Sequence, residues 1–577
     1  MSAPQVWAPR AQRVEIVTQG ARHAMEPAGP AGWWRASLEL HHGDDYAFAL
    51  DGGHPLPDPR SRWQPHGVHA ASLWFDAKIF AWTDAAWRPP AWSNAIIYEL
   101  HVGTFSPEGT FAGASARLDH LVQLGVTHVE LMPVAEFPGN RGWGYDGVDL
   151  YAPHHAYGGP EGLQRLVNAC HEHGLAVIFD VVYNHLGPVG NYLAQFGPYF
   201  TDHYHTPWGA AVNFDGPGSD EVRAFFIDNA LSWLRDFHGD GLRLDAVHAI
   251  LDRSATPFLE QLGRAVRAEA ARLGRELVLI AESDANDPRL SAPATLDAGG
   301  GGTGLNAQWD EDFHHALHAA LTGEHNGYLQ DFGSLAALAA ALERGFYLDG
   351  RYSTYRQRRH GRRFEGGDAS RLVVYAQNHD QTGNRAQGER LSHLLSPGLQ
   401  RVAAALVLLS PGVPLLFQGE EWGAATPFLY FTDYDDPALA EAIHQGRQRE
   451  CAHFGWPGAS SHPNHPDPFT RSRLDWNEPA QPEHAAMLTW YRALIHLRRD
   501  ISLGTHDLHA THAAFDESRR WLVVHRGPHW RIACNLAREP QPVPLGAGAW
   551  SPVLASAPPL ANAGLAPESV AVFRTQT

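Results

Sequence analysis

From about Ala95 to Glu421 the chain alternates short apolar runs with amphipathic helical stretches, and this alternation limits the possible folds more than any other feature. The runs are Ile96 to Val102, Val126 to Val134, Leu175 to His185, Gly241 to Asp245, Leu277 to Ser283, Asn306 to Asp310, Leu372 to Asp380 and Val413 to Glu421. Near-continuous apolarity marks strands buried on both faces, as in parallel sheets with helices packed outside. Eight such strand candidates fit a TIM barrel, so the expected class is α/β with a central (β/α)8 barrel. The stretch from Ser219 to His238 illustrates the helices. Ser219 can cap it, Asp220 and Glu221 favour its positive end, and Val222, Phe225, Phe226, Trp233, Leu234 and Phe237 form one apolar stripe.

The flanks read differently. Residues 1–88 show strand alternation at Val14 to Val17 and Tyr46 to Leu50, broken by Gly, Pro and Asp, and predict an N-terminal β-sandwich. Within it, Pro55 to Trp74 is rich in Pro and His, has no period, and reads as a packed connector. The barrel is expected over residues 89–500 and a C-terminal β-sandwich over 501–577, where Trp521 to His525 and Trp530 to Leu536 are strand-like. A Gly-, Pro- and aromatic-rich insertion at about 186–218 has no clear periodicity, and a long loop at this place in a barrel is usually functional. The run Ala298 to Gly304 lacks the Gly-Lys-Ser/Thr ending of a phosphate loop and opens no helix, so a flexible loop is expected there.

Composition narrows the function classes. With 577 residues, 44% hydrophobic and 19% charged, the chain is that of a soluble globular protein of several domains. A formal net charge of −19 argues against nucleic acid and anionic membranes and for a neutral or small partner. Cys170, Cys451 and Cys534 are odd in number and far apart, which suits reduced thiols. The N-terminus has neither a basic nor an apolar leader region, and no run of about 18 apolar residues occurs, so the expected location is cytoplasmic. Lys78 is the only lysine. Nineteen tryptophans are rich for this size; core packing accounts for most, and exposed rings that stack on sugars are the alternative.

The strand ends carry the chemistry. Gly241-Leu-Arg-Leu-Asp-Ala-Val-His248 delivers Arg243, Asp245 and His248 to the end of one apolar strand. A charge between strand apolars needs a partner, so Arg243 is expected to hydrogen-bond Asp245 and hold it ionised; taken alone this is either a structural ion pair or a nucleophile. Other strands end in Asp180 to His185, in Ile280-Ala-Glu282 and in Gln377-Asn-His-Asp380. In a barrel all C-terminal strand ends converge on one face, so Asp245, Glu282 and Asp380 would share a pocket and raise at least one pKa. Two carboxylates about 5 Å apart serve retaining glycoside hydrolysis. Asp245 suits the nucleophile, Glu282 after its apolar Leu279-Ile280-Ala281 suits the acid/base, and Asp380 would bind sugar hydroxyls. The rival is a metal site from Asp180, Asn184, His185, His248 and His379, which lack HxH or HExxH spacing; no metal or other cofactor is expected.

These residues resemble the α-amylase superfamily over nearly the whole chain, whose four short regions appear in order as Asp180 to His185, Gly241 to Asp245, Ile280 to Glu282 and Asn378 to Asp380. The resemblance implies Asp245 as nucleophile, Glu282 as acid/base, Asp380 as transition-state stabiliser, and Arg243, His185 and His379 as contacts around the sugar at the cleavage point. Tyr145, in Trp143-Gly-Tyr-Asp146, would be the ring stacked under that sugar. The stretch Val6-Trp-Ala-Pro9 is similar to the N-terminal domain of isoamylases and branching enzymes.

Finer features, among them Tyr98 to Phe105, Ala281-Glu-Ser-Asp284 and Gln308-Trp-Asp-Glu-Asp-Phe-His-His315, resemble the maltooligosyltrehalose trehalohydrolases within that superfamily. Such a member would cleave the α-1,4 bond beside the terminal trehalose of maltooligosyl trehalose, in trehalose biosynthesis, with a maltooligosyltrehalose synthase as functional partner. His248, Trp309 and Asp310 would then recognise the trehalose. His248 departs from amylases that carry Lys before a His, which weakens the carry-over of amylase leaving-group contacts and of the amylase calcium site. Two other readings remain: a glycogen branching or debranching enzyme with the same carboxylates, and a non-catalytic glucan-binding protein, which the three intact carboxylates oppose.

Overall fold

The computed structural model describes residues 3–29, 32–294, 301–456, 461–500, 503–560 and 564–575. At its centre, eight parallel strands close into a barrel: β1 (Ile97–Leu100), β2 (His128–Leu131), β3 (Ala176–Val181), β4 (Gly241–Leu244), β5 (Val278–Ala281), β6 (Ala307–Trp309), β7 (Leu372–Tyr375) and β8 (Val413–Phe417). Each strand neighbours the next in sequence, and β8 closes onto β1 with Leu415 beside Ile97. All eight lie within the apolar runs of the sequence, and every residue in them is buried, as a sheet covered on both faces requires.

The barrel interior changes character along its axis. Ile97, Ile178, Ile280, Val373 and Val413 belong to one apolar cluster near the strand starts. Because side chains two apart share a face, the next inward positions are Glu99 after Ile97 and Asp180 after Ile178. Register places Glu99 beside Glu130 and Asp180 beside Arg243. A charged layer therefore lies above an apolar floor, and the catalytic chemistry of a barrel belongs above such a layer.

The helix expected from Ser219 runs Ser219–Arg235, and its N-cap is Gly218, with φ 82° and no side-chain capping bond; Ser219 is the first helical residue instead. It stops before His238 because that residue turns left-handed at φ 55°, with its ring stacked on Trp82. The insertion, expected to be irregular, contains the helix Leu193–Phe196 and the hairpin Phe200–Thr206 with Gly209–Val212. A register shift between Thr201 and His205 and a first strand with no fully buried residue hide its alternation in the sequence. Of the glycine run, Ala298 to Gly300 lie outside the described residues. The remainder is a packed turn rather than a loose loop: Gly302 donates to Pro293 O and Gly304 to Ala292 O, and a Cβ on Gly302 would fall 2.3 Å from Ala292 O.

Antiparallel sheets flank the barrel. On the N-terminal side Gln5–Trp7, Trp33–Arg35 and Glu26–Pro27 form one sheet, and Ala21–Ala24, Val14–Thr18, Asp45–Leu50 and Ser72–Leu73 another. Beyond the helix Pro482–Arg498, five strands pair in the order Thr511–Asp516, Trp521–Arg526, Trp530–Asn535, Ser569–Thr575, Trp550–Ala555. Cys170, Cys451 and Cys534 are all buried and free. Among the described residues no helix is long and apolar enough to cross a membrane.

Candidate active site

Arg243 is the buried centre of the charged layer. Its Nη1 donates to both oxygens of Asp180 and to Asp245 Oδ1, each at 2.9 Å, while Nη2 lies 3.6 Å from Glu282. The expected Arg243–Asp245 pair is therefore present, with Asp180 as a second anion on the same guanidinium. Three carboxylates around one fixed cation lower the cost of burying them all.

The end of β4 is held tightly. Asp245 N donates to Val181 O at 3.0 Å, Glu282 N to Leu244 O at 3.0 Å and Val247 N to Glu282 O at 3.0 Å. Ala246 between them adopts φ 39° and ψ 51°, a left-handed turn at a residue with a Cβ. Such a conformation costs on the order of 1–3 kcal/mol and persists where the surroundings impose it. Here it directs the Ala246 N–H to the Glu282 carboxyl. Burial raises the pKa of Glu282 to about 7; Arg243 opposes the shift, and Asp245 and Asp380 add to it.

On the other side, Tyr145 donates to Asp180 Oδ2 at 2.6 Å and lies 2.7 Å from His379 Nε2, its ring stacked on the imidazole. Glu99 receives the Nδ1–H of His379. Burial alone would depress the pKa of His379, but Asp380 and Glu99 outweigh it and raise the value to about 9. As an imidazolium it donates from Nδ1 to Glu99 and from Nε2 to Tyr145. Asp380 is the open carboxylate, its side chain 40% exposed, with Asn384 Nδ2 at 3.1 Å from Oδ1. His185 is held by Tyr145 O at 3.0 Å, and burial lowers its pKa, so it is neutral near pH 7.

The rival metal set is not assembled as one. Asp180 serves Arg243 and Tyr145, His379 serves Glu99 and Tyr145, and His248 is exposed. Among the described residues one His/Glu group is tight enough to hold an ion, Glu136 with His154 and His155, and there both imidazoles already bond the carboxylate.

Two expected substrate contacts lie elsewhere. Trp309 is 1% exposed, with the Arg243 guanidinium 4.2 Å from its ring centroid, so it backs the arginine and offers no face to a sugar. Asp310 is buried, and its carboxylate accepts from Phe313 N at 3.0 Å as the cap of the helix Glu311–Thr322. The cause is the brevity of β6: its three residues leave Trp309 facing the barrel interior, and the helix begins directly after Asp310. His248, by contrast, is exposed on the turn after Asp245 and close enough to Glu282 and Asp284 to act on both carboxyls.

Other residues enter the site unannounced. Glu99 carries His379. Glu311 is buried and bonded by Gln381 Nε2 at 3.0 Å; burial raises its pKa to about 8, Tyr375 opposing and Glu282 and Asp380 adding. Trp208, 48% exposed at the tip of the insertion hairpin, stacks on His185 at 4.8 Å and 11°. Arg356 pairs with Asp284 at 2.7 Å. The first of these had a signal: Glu99 is a charge inside a fully apolar strand, as Arg243 is.

Known proteins share this sequence and fold. The family model for the alpha amylase catalytic domain matches residues 77–205, and that for a domain of unknown function (DUF3459) matches 506–572. The malto-oligosyltrehalose trehalohydrolase of Arthrobacter ramosus is 50% identical over 544 residues, 93% of either chain. A 1,4-alpha-glucan branching enzyme of Bordetella parapertussis is 31% identical over 78% of this chain and 63% of its own. The crystal structure of a putative alpha amylase from Salmonella typhimurium superposes with a TM-score of 0.90 at 37% identity, covering 99% of this chain and 97% of that one. With 48–50% identity to several trehalohydrolases over 93–94% of its length, the chain belongs to the malto-oligosyltrehalose trehalohydrolase family of α-amylase-type enzymes.

Proposed function

We propose that the chain is a retaining glycoside hydrolase that cleaves the α-1,4 bond beside the terminal trehalose of maltooligosyl trehalose, releasing trehalose and a maltooligosaccharide. One observation carries the mechanism: Arg243 bonds Asp245, while the pKa of Glu282, on the next strand, is raised to about 7. The first group stays an anion fit to attack the anomeric carbon, and the second holds a proton for the leaving oxygen at neutral pH. Attack by Asp245 gives a covalent glycosyl-enzyme; Glu282, now a base, takes a proton from the water that releases it. The open carboxylate of Asp380 would hold the sugar hydroxyls, with Tyr145, oriented by imidazolium His379, as the wall beside them. His248, on the turn after β4, and the Arg356–Asp284 pair beyond the end of β5 would form the leaving-group side, where the trehalose would sit.

The reading extends to context. We assign residues 1–88 and 501–577 to flanking β-domains and 89–500 to the catalytic one. A maltooligosyltrehalose synthase, which would create the terminal α,α-1,1 linkage, is the proposed functional partner, and the cytoplasm the proposed location. Product chromatography tests the activity, with maltopentaosyl trehalose and a plain maltooligosaccharide of similar length as substrates. Rapid release of trehalose with little action on the plain chain is expected. Equal action on both, or new α-1,6 branches on amylose, would overturn the specificity and leave an amylase or a branching enzyme.

A further inference from the structure

Between the helix Leu335–Arg344 and β7 the chain makes a long excursion over residues 346–371. Its two ends meet: a Cβ on Gly345 would lie 2.6 Å from Leu372 Cδ1, so the connection itself needs almost none of this length. A surface stretch kept beyond what a connection requires is usually functional. Part of it is accounted for, because Arg356 reaches Asp284 beside the cleft. The rest is not.

Residues 351–363 hold six arginines, one histidine and no acid, in a chain with a formal net charge of −19. The backbone that carries them is firmly held. Tyr352–Ser353 pairs with Arg358–Arg359 as a hairpin, Asp331 accepts from Thr354 N at 2.7 Å, and Arg362 N donates to Asn286 O at 3.0 Å. Arg351 is paired with Asp349 and Arg356 with Asp284. Arg358, Arg359, Arg362 and Arg363 are exposed and, among the described residues, form no ion pair; Arg359 Nη1 donates to Gly350 O at 3.2 Å. Asp287, which feels the charge of Arg362, is already bound by Arg289 at 2.6 Å. Tyr352, the Cα partner of Arg359, is 57% exposed.

Four like charges on one ordered segment repel one another and pair with no acid of the fold, so they answer to an anion from outside. Successive residues of an extended strand face opposite ways, and Arg358 and Arg359 therefore cannot close on one small anion. A nucleic acid or an anionic membrane would extend past the patch onto a chain of net negative charge. A compact protein surface bearing several carboxylates fits better. Guanidinium forks bind carboxylates in bidentate fashion, and Arg beside exposed Tyr is the composition of interface anchors.

The geometry points to a docking surface for an acidic protein partner, in which Arg358, Arg359, Arg362 and Arg363 receive the partner's carboxylates. Through Arg356 and Asp284 the surface adjoins the leaving-group side of the cleft, where a docked partner would meet the trehalose end of the substrate. That last placement rests on the proposed function; the acidic partner does not.

Fluorescence polarisation of a fluorescein-labelled peptide of ten glutamates, titrated with the full chain, tests this. One variant combines Arg358→Gln, Arg359→Gln, Arg362→Gln and Arg363→Gln; a control of equal net charge combines Arg10→Gln, Arg449→Gln, Arg519→Gln and Arg538→Gln, all exposed. Parent and control should bind the peptide alike, with affinity falling between about 50 and 200 mM salt, and the first variant should bind about tenfold more weakly. All three should release trehalose from maltotriosyl trehalose at the same rate. No binding by the parent at about 50 mM salt, or equal weakening in the two variants, would overturn the surface. Tighter binding of a ten-nucleotide single-stranded DNA, lost in the first variant alone, would overturn the protein partner in favour of nucleic acid. A parent protein that binds the peptide and releases no trehalose would leave this surface standing and remove the proposed function instead.

Discussion

Glu99 on β1 accepts both the backbone N–H of His379, at 3.0 Å, and its Nδ1–H, so one buried carboxylate fixes the position of a histidine carried on the far side of the β8 closure and, with Asp380, keeps it protonated. Since His379 Nε2 reaches Tyr145 Oη and Tyr145 donates to Asp180, the bond is the first link of a chain that ends on Arg243 and Asp245.

Glu99→Gln should therefore lower the pKa of His379 and remove a pH-dependent part of the stability. A histidine raised from its ordinary 6.5 to about 9 stabilises the fold fully below about pH 6.5 and loses that contribution as pH rises through 9. The whole shift corresponds to about 3.5 kcal/mol at about 1.4 kcal/mol per pH unit, and Glu99 accounts for only part of it because Asp380 contributes first. The Tm difference between parent and variant should be widest near pH 6 and close near pH 10. A constant difference across that range would show that His379 is not charged by Glu99.

Asp245→Asn keeps the shape of the side chain and removes the charge proposed to attack. Turnover of maltooligosyl trehalose should fall by about 10^4-fold or more, with circular dichroism unchanged, because the attack on the anomeric carbon has no substitute group in reach. Retention of even a tenth of the parent rate would exclude Asp245 from covalent catalysis.

In the proposed mechanism Glu282 carries a proton at the start of the reaction, and its pKa is raised to about 7, first by burial. The alkaline limb of kcat/KM should accordingly fall with an apparent pKa near 7, and Glu282→Gln should abolish most activity on the natural linkage. An aryl maltoside with a good leaving group needs no protonation, so Glu282→Ala should recover glycosylation on that substrate, seen as a burst of phenol. The lack of any such burst would assign the acid role to another group, with Glu311, whose pKa is likewise raised by burial, as the alternative.

How far the sequence foretold this site follows from what each residue does there. Arg243 and Asp245 were legible because a charge in an apolar strand demands a partner, and all eight strands were legible because burial on both faces leaves an unbroken apolar run. Glu99 obeys the same rule as Arg243, but its partner His379 lies 280 positions away, and pairing over that distance is set by barrel closure. Ser219 failed as a cap because Gly218 already makes the left-handed entry to the helix. Trp309 and Asp310 were misplaced for a depth reason: an aromatic ring at a strand end packs inside or faces the cleft according to where the strand stops, and β6 stops after three residues.

That depth difference separates two tryptophans and one histidine by experiment. Trp309 packs behind Arg243 with the guanidinium 4.2 Å from its ring centroid, so Trp309→Phe should loosen the arginine, lower kcat on every substrate alike and reduce Tm. Trp208 and His248 are exposed near the cleft, the first stacked on His185 and the second beside Glu282 and Asp284. Substituting either with Ala should change substrate discrimination with little change in Tm, because an exposed side chain adds little to the fold. For His248→Ala the ratio of kcat/KM on maltopentaosyl trehalose to that on maltoheptaose should drop about tenfold, or about 1.4 kcal/mol, since only the first substrate has an α,α-1,1-linked glucose in its leaving group for His248 to contact. Trp309→Phe should leave the same ratio within about twofold, less than about 0.5 kcal/mol. If the two variants exchange behaviour, Trp309 reaches the sugar after all and the buried position beneath Arg243 is not the one the working enzyme uses.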